Sequence, residues 1–134
     1  MIEQTLSIVK PDAVERNLEN RIKFFFTEKN LKLLKNNKVH INKEEAAEFY
    51  KEHQTKPFYK NLCNYLSSGP IVVMVLEGEG AVFKNRKIMG ATDPLKTEKV
   101  TLRKLYGLSI DKNSVHGSDS TESAKTGIGF FFYK

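Results

Sequence analysis

The sequence predicts an α+β fold, a four-stranded antiparallel sheet covered by helices, with a long loop ahead of its most informative histidine. Three observations predict it. The run Ile71-Val72-Val73-Met74-Val75-Leu76 is apolar without a break, as expected of a central strand buried on both faces. Two helix-type segments, 43–50 and 58–66, follow one another across Pro57, which makes them a hairpin. Strand-type and helix-type segments alternate on either side of that hairpin.

Taken in order, Thr5-Leu6-Ser7-Ile8-Val9 is rich in β-branched residues and ends at Lys10-Pro11-Asp12, where proline removes a ladder donor. Leu18, Ile22, Phe25 and Phe26 recur at helical spacing over 18–29. A second strand covers 31–41, weakened in its middle by Asn36 and Asn37. Asn42 or Lys43 opens the next helix, whose acidic first turn (Glu44, Glu45) suits the positive end of the helix dipole. Phe58, Leu62, Cys63 and Leu66 form the second arm of the hairpin, and Ser68-Gly69-Pro70 breaks the chain before the central strand. A helix from Gly80 to Met89 closes at Gly90. From Ala91 to about Val115 the chain is mostly polar and irregular, and an excursion of that length in a small domain is usually functional. A short helix over 119–125 and a last strand over 128–133 finish the pattern. The order is that of a ferredoxin-like split βαβ sandwich.

At 134 residues the chain is expected to form a single domain, 1–134, large enough to bury a core without staples. It is 40% hydrophobic and 28% charged, and no apolar run approaches the roughly 18 residues of a membrane span. The first residues carry no secretory pattern and Cys63 has no partner for a disulfide, so the sequence points to the cytoplasm. The net charge of +6 favours anionic partners. Its lysines are scattered among Asn, Glu and Leu, which argues against nucleic acid as the main partner.

The richest stretch is Asn113-Ser114-Val115-His116-Gly117-Ser118-Asp119-Ser120, a histidine followed by glycine and three good helix-capping residues. It places an imidazole beside a helix N-terminus, where free N–H groups attract anions, and imidazole is itself a nucleophile. Phosphoryl transfer also needs cations and donors spread over several phosphates. Lys10 at the first strand's exit, Arg86 on the helix before the long loop, and Thr92, Arg103 and Asn113 within it are the candidates. His40 and His53 have no comparable setting.

With these pieces in view, Ile8-Val9-Lys10-Pro11-Asp12-Ala13-Val14, Ser68-Gly69-Pro70-Ile71-Val72, Met89-Gly90-Ala91-Thr92-Asp93-Pro94 and the stretch through His116 together resemble nucleoside diphosphate kinase, in that family's order and spacing. The resemblance implies reversible transfer of a γ-phosphoryl group from a nucleoside triphosphate to a nucleoside diphosphate, by a ping-pong mechanism through a phosphohistidine. It implies His116 as the nucleophile, with Lys10 and the Tyr50 hydroxyl beside it and Ser118 positioning it. Arg86, Thr92 and Arg103 would hold the distal phosphates, and Asn113 the sugar region. Phe58 would stack on the base with Leu62 completing an apolar clamp, and Mg²⁺ would arrive on the nucleotide phosphates instead of in a protein metal site.

The sequence also departs from the family pattern. Gly127 stands where a glutamate usually accepts a hydrogen bond from the imidazole, Lys99-Val100 where a Pro-Gly pair shapes the long loop, and Asn17 and Asn20 where glycines are common. A looser imidazole, a slower enzyme and a gain in rate on restoring the glutamate are expected. Two other classes of function compete: a non-catalytic nucleotide-binding or interaction module that keeps the fold, and a basic single-stranded nucleic-acid binder. The resemblance further implies a homo-oligomer, and the short ending at Lys134 favours a tetramer over a hexamer.

Overall fold

The computed structural model describes residues 2–91, 94–96, 101–108 and 114–133. The chain opens with strand β1 (Ile2–Val9), helices α1 (Pro11–Glu15) and α2 (Glu19–Glu28), and strand β2 (Lys32–Val39). The helix hairpin follows as α3 (Lys43–Phe49), a 3₁₀ turn (Lys51–His53) and α4 (Tyr59–Leu66). Then come β3 (Ile71–Glu79), α5 (Ala81–Met89), a second 3₁₀ turn (Pro94–Lys96), α6 (Leu102–Tyr106), β4 (Val115–Gly117) and α7 (Thr121–Phe132). The strands lie in the order β2-β3-β1-β4, and every neighbouring pair is antiparallel.

Helices cover both faces of this sheet, which explains why its central strands are apolar at consecutive positions. Val72, Met74 and Leu76 of β3 pack with Ile22 and Phe26 of α2 and with Ala81, Ile88 and Met89 of α5. Ile71, Val73 and Val75 point the other way, into a second core with Leu6 and Ile8 of β1, Ala46 of α3, Cys63 and Leu66 of α4, and Ile128 of α7. The side-chain period of two thus sends each central strand into two cores at once.

Local chemistry accounts for the element ends. Pro11 takes the first position of α1, where its missing N–H costs nothing, so the proline that ends β1 also starts a helix absent from the sequence expectation. Asn17 holds the left-handed backbone (φ 59°) that asparagine tolerates better than most residues. A capping box between Asn42 and Glu45 opens α3.

Helix α6 lies within the stretch expected to be irregular, and at the chain's end one element is replaced by another. Residues 128–133, expected as the last strand, continue α7 through Phe132, and the fourth strand is the short β4 that carries His116. A reciprocal cap between Ser120 and Ser123 starts α7. Ala124, Gly127, Ile128 and Phe131 then fall on one helical stripe facing the second core. Packing of that stripe outweighs the β preference of the Phe130-Phe131-Phe132 run.

Candidate active site

β1 and β4 pair with Ile8 opposite His116 and Val9 opposite Val115. That register sets Lys10, one residue past β1, beside the strand that carries the histidine. The Lys10 N–H donates to the Ser114 carbonyl at 2.8 Å and so extends the pairing by a step. Lys10 is only 4% exposed, a depth at which a lysine charge is almost always paired. Gly117 follows His116 because α5 passes close behind it: a Cβ there would collide with the Asn85 amide and the Met89 thioether.

Aromatic rings hold the imidazole from the other side. Tyr50, at the C-terminal end of α3, meets His116 edge-on at 6.0 Å between centroids, and Phe49 does so at 5.3 Å. Among the described residues no protein group hydrogen-bonds the ring nitrogens of His116, so these edges and the β1–β4 register orient the ring. The expected glutamate position does not offer an alternative. Gly127 lines the cavity of His116 but also lies against Leu6, with the Phe49 ring close by, so a side chain added there would have to move the leucine aside. That contact sets a packing cost against any gain in rate from restoring a glutamate.

Arg103, on α6, fixes the far side of the site. Its Nη1 donates to the Gly90 carbonyl and its Nη2 to the Val115 carbonyl, both at 3.0 Å, so one guanidinium joins the end of α5 to the strand of His116. Burial, then the charge of Arg86, lowers its pKa to about 10, while Tyr50 pulls the other way. It remains a cation at neutral pH. Burial is also the main cause that raises the Tyr50 hydroxyl far above its ordinary range.

The same environment acts oppositely on the imidazole of His116. Burial, reinforced by the charges of Lys10, Arg103 and His53 and opposed by Asp119, pulls the His116 pKa down to about 3. At neutral pH the ring is therefore uncharged and keeps a nitrogen lone pair for attack. Ser118, buried beyond β4, donates its N–H to the Leu6 carbonyl at 3.3 Å. Asp119 accepts from the Ser123 hydroxyl at 2.6 Å, and this bond is the first cause holding its carboxyl below the usual range.

A cavity of about 570 Å³ opens on His116, walled by Phe49, Tyr50, His53, Ser118 and Phe130. Phe58, at the start of α4, is 42% exposed, and Leu62 packs one turn on against the second core. Neither lines that cavity, but His53 connects Phe58 to it: its ring lies 6.0 Å from Phe58 and 6.2 Å from Tyr50. Arg86 is exposed in the last turn of α5, close enough for its charge to act on Arg103 and Asp119. Thr92 and Asn113 lie outside the described residues.

Sequence reasoning passed over two features. It assigned nothing to His53, although spacing of three from Tyr50 puts both on one helical face. Nor did it single out the carboxylate of Asp12, which is buried and joined to Arg16, Tyr65 and Ser114.

The family model described as nucleoside diphosphate kinase matches residues 3–134. The chain is 55% identical over 131 residues to the nucleoside diphosphate kinase of Persephonella marina, covering 98% of this chain and 94% of that one. It is 49% identical over 131 residues to that of Paracoccus denitrificans, with 98% and 94% covered. Among solved structures, the Aquifex aeolicus nucleoside diphosphate kinase superposes with a TM-score of 0.96 at 38% identity, covering 98% of this chain and 96% of that one. The enzyme from Encephalitozoon cuniculi superposes with a TM-score of 0.95 at 35% identity, with 98% and 90% covered.

Proposed function

The chain belongs to the nucleoside diphosphate kinase family, and from that premise we propose that His116 carries the phosphoryl group in the reaction it catalyses. That reaction is the reversible transfer of a γ-phosphoryl group from a nucleoside triphosphate to a nucleoside diphosphate, in two half-reactions through a phosphohistidine. A ring nitrogen of His116 attacks the γ-phosphorus; the bond from phosphorus to the bridging oxygen breaks, and its electron pair leaves with the diphosphate. A second diphosphate reverses these steps.

The observation that supports this assignment is the pairing of an uncharged imidazole on β4 with two flanking cations, Lys10 just past β1 and Arg103 on α6. The cations favour the charge that spreads over the phosphoryl oxygens in the transition state. Tyr50 packs against the ring and Ser118 fixes the turn after it. Arg86, Thr92 and Asn113 are assigned to the remaining phosphates and sugar, and Phe58 with Leu62 to the base.

Among the described residues no group of three or more His, Cys, Asp and Glu could hold a metal ion, and the assigned phosphate-binding side chains are cations and neutral donors. Such a set fits Mg²⁺ that arrives on the nucleotide, where a hard cation keeps most of its waters. When bound, it would neutralise phosphate charge. We further propose that residues 1–134 act as one domain, that the enzyme works in the cytoplasm, and that it assembles as a homo-oligomer, a tetramer in preference to a hexamer. No helix among the described residues is long and apolar enough to cross a membrane.

Incubation with γ-labelled nucleotide tests the central assignment. Wild type, His40→Ala and His53→Ala should each take up an acid-labile label, and His116→Ala none. A labelled His116→Ala protein would overturn it. Binding of nucleotide without any label in wild type would favour the non-catalytic alternative.

A further inference from the structure

The buried carboxylate of Asp12 gathers contacts from three parts of the chain, and one of its partners, Arg16, reaches a fourth. It is 6% exposed, and three side chains meet it. The Tyr65 hydroxyl donates to Oδ1 and accepts the Asp12 N–H at 2.7 Å. The Ser114 hydroxyl donates to Oδ2 at 2.8 Å, and Arg16 donates to the same oxygen at 3.1 Å. Arg16 also donates to the Ser114 hydroxyl at 3.2 Å and to the Tyr106 carbonyl at 2.5 Å.

Each contact leads to a different piece of the site. Asp12 stands two residues after Lys10, and Ser114 two residues before His116. Tyr106 ends α6, the helix of Arg103, and Tyr65 lies on α4, the helix of Leu62. Ser114 is held in left-handed backbone (φ 74°), which costs a serine energy and persists only where the surroundings enforce it. None of the residues joined by Asp12 faces the cavity at His116.

We propose that Asp12 is a positioning hub, with Tyr65 as its lock, that sets the spacing of Lys10, His116 and Arg103 for phosphoryl transfer. The proposal rests on the reading of His116 as the phosphorylated residue. Asp12 touches no substrate; it acts by fixing the start of α1 against the entry to β4. Its carboxylate accepts from one neutral hydroxyl on either side and one guanidinium, so removing any donor lets the two segments shift. Misplacement of reacting groups by about 1 Å can cost a hundredfold in rate.

Tyr65→Phe keeps the ring and deletes only the hydroxyl; Ser114→Ala deletes the opposite donor. With γ-labelled nucleotide in single-turnover experiments, each variant should label His116 roughly ten- to a hundredfold more slowly. The label should reach full amplitude, and affinity for a nucleoside diphosphate should stay within about twofold, because only positioning is disturbed. The double variant should lose less than the product of the two, since both act through one carboxylate. A wild-type rate in folded Tyr65→Phe overturns the proposal, as does a loss of amplitude at unchanged rate, which marks a purely structural role. Multiplicative losses in the double variant overturn it too. His116→Ala, run alongside, separates the two readings: label retained there defeats the site assignment, whereas no label there with wild-type Tyr65→Phe defeats only the hub.

Discussion

Gly127 of α7 and Leu6 of β1 touch so closely that a Cβ built on the glycine would stand 2.6 Å from Cδ2 of the leucine. Leu6 is fully buried, so it has nowhere to turn, and the Phe49 ring lies 3.6 Å from the same point. Overpacking of this kind costs about 1–3 kcal/mol, more than the roughly 1 kcal/mol that alanine gains over glycine in a helix. Gly127→Ala should therefore lower the denaturation midpoint, and Gly127→Glu should lower it further by adding a carboxylate against apolar neighbours. Neither should label faster than wild type. Combining Gly127→Ala with Leu6→Val should cost less than the sum of the two single changes. Additive costs would show that the leucine is not what the new methyl meets.

The first three strands and both arms of the hairpin were legible because each carries a local pattern: an unbroken apolar run, an acidic first turn, a proline between periods. The end of α7 was not. Its three phenylalanines read as strand by propensity, while the stripe of Ala124, Gly127, Ile128 and Phe131 that decides the matter contains a glycine easily scored as a breaker. Of the site, the motif around His116 was legible as chemistry. The contacts of Asp12 were not, since Tyr65 lies 53 positions away and Ser114 lies 102 away, separations that only the fold can close.

The depressed pKa of His116 has a consequence for stability. Its unfolded form binds a proton near 6.5, while burial in the fold resists protonation down to about 3. The contribution of the neutral ring is thus fully present above about pH 6.5 and is lost as pH falls toward 3. The slope from one proton is about 1.4 kcal/mol per pH unit. Relative to His116→Gln, wild type should lose stability along that slope, and its His116 ring resonances should stay at neutral-form positions down to about pH 5. A ring that titrates near 6.5 in the folded protein would contradict the electrostatic picture.

Phe58 offers a half-exposed ring at the start of α4, with Lys56 5.7 Å from its centre and the His53 ring beside it. A ring used as a platform stacks on any base, since every base has a π face. Phe58→Ala should weaken nucleotide binding by about 1–3 kcal/mol, and by similar amounts for purines and pyrimidines. Titration of the variant with a purine and a pyrimidine diphosphate measures this directly; a loss confined to one of them would mean that base edges are read.

Arg103 separates charge from geometry. Its two Nη atoms reach two carbonyls, Gly90 and Val115, that belong to different elements. Lysine keeps the charge but brings one nitrogen on a flexible stem and cannot span both. In Arg103→Lys one carbonyl is left without its donor in a largely buried place, which costs about 1–3 kcal/mol. The strand that carries His116 also loses its tie to the end of α5. If the guanidinium served only as a positive charge near the phosphates, Arg103→Lys would label His116 at nearly the wild-type rate while Arg103→Ala would not. The bridging geometry predicts otherwise: a lower denaturation midpoint for Arg103→Lys and a labelling rate down roughly ten- to a hundredfold at saturating nucleotide, close to that of Arg103→Ala. Single-turnover labelling of both variants, scaled to the folded fraction of each, decides between them.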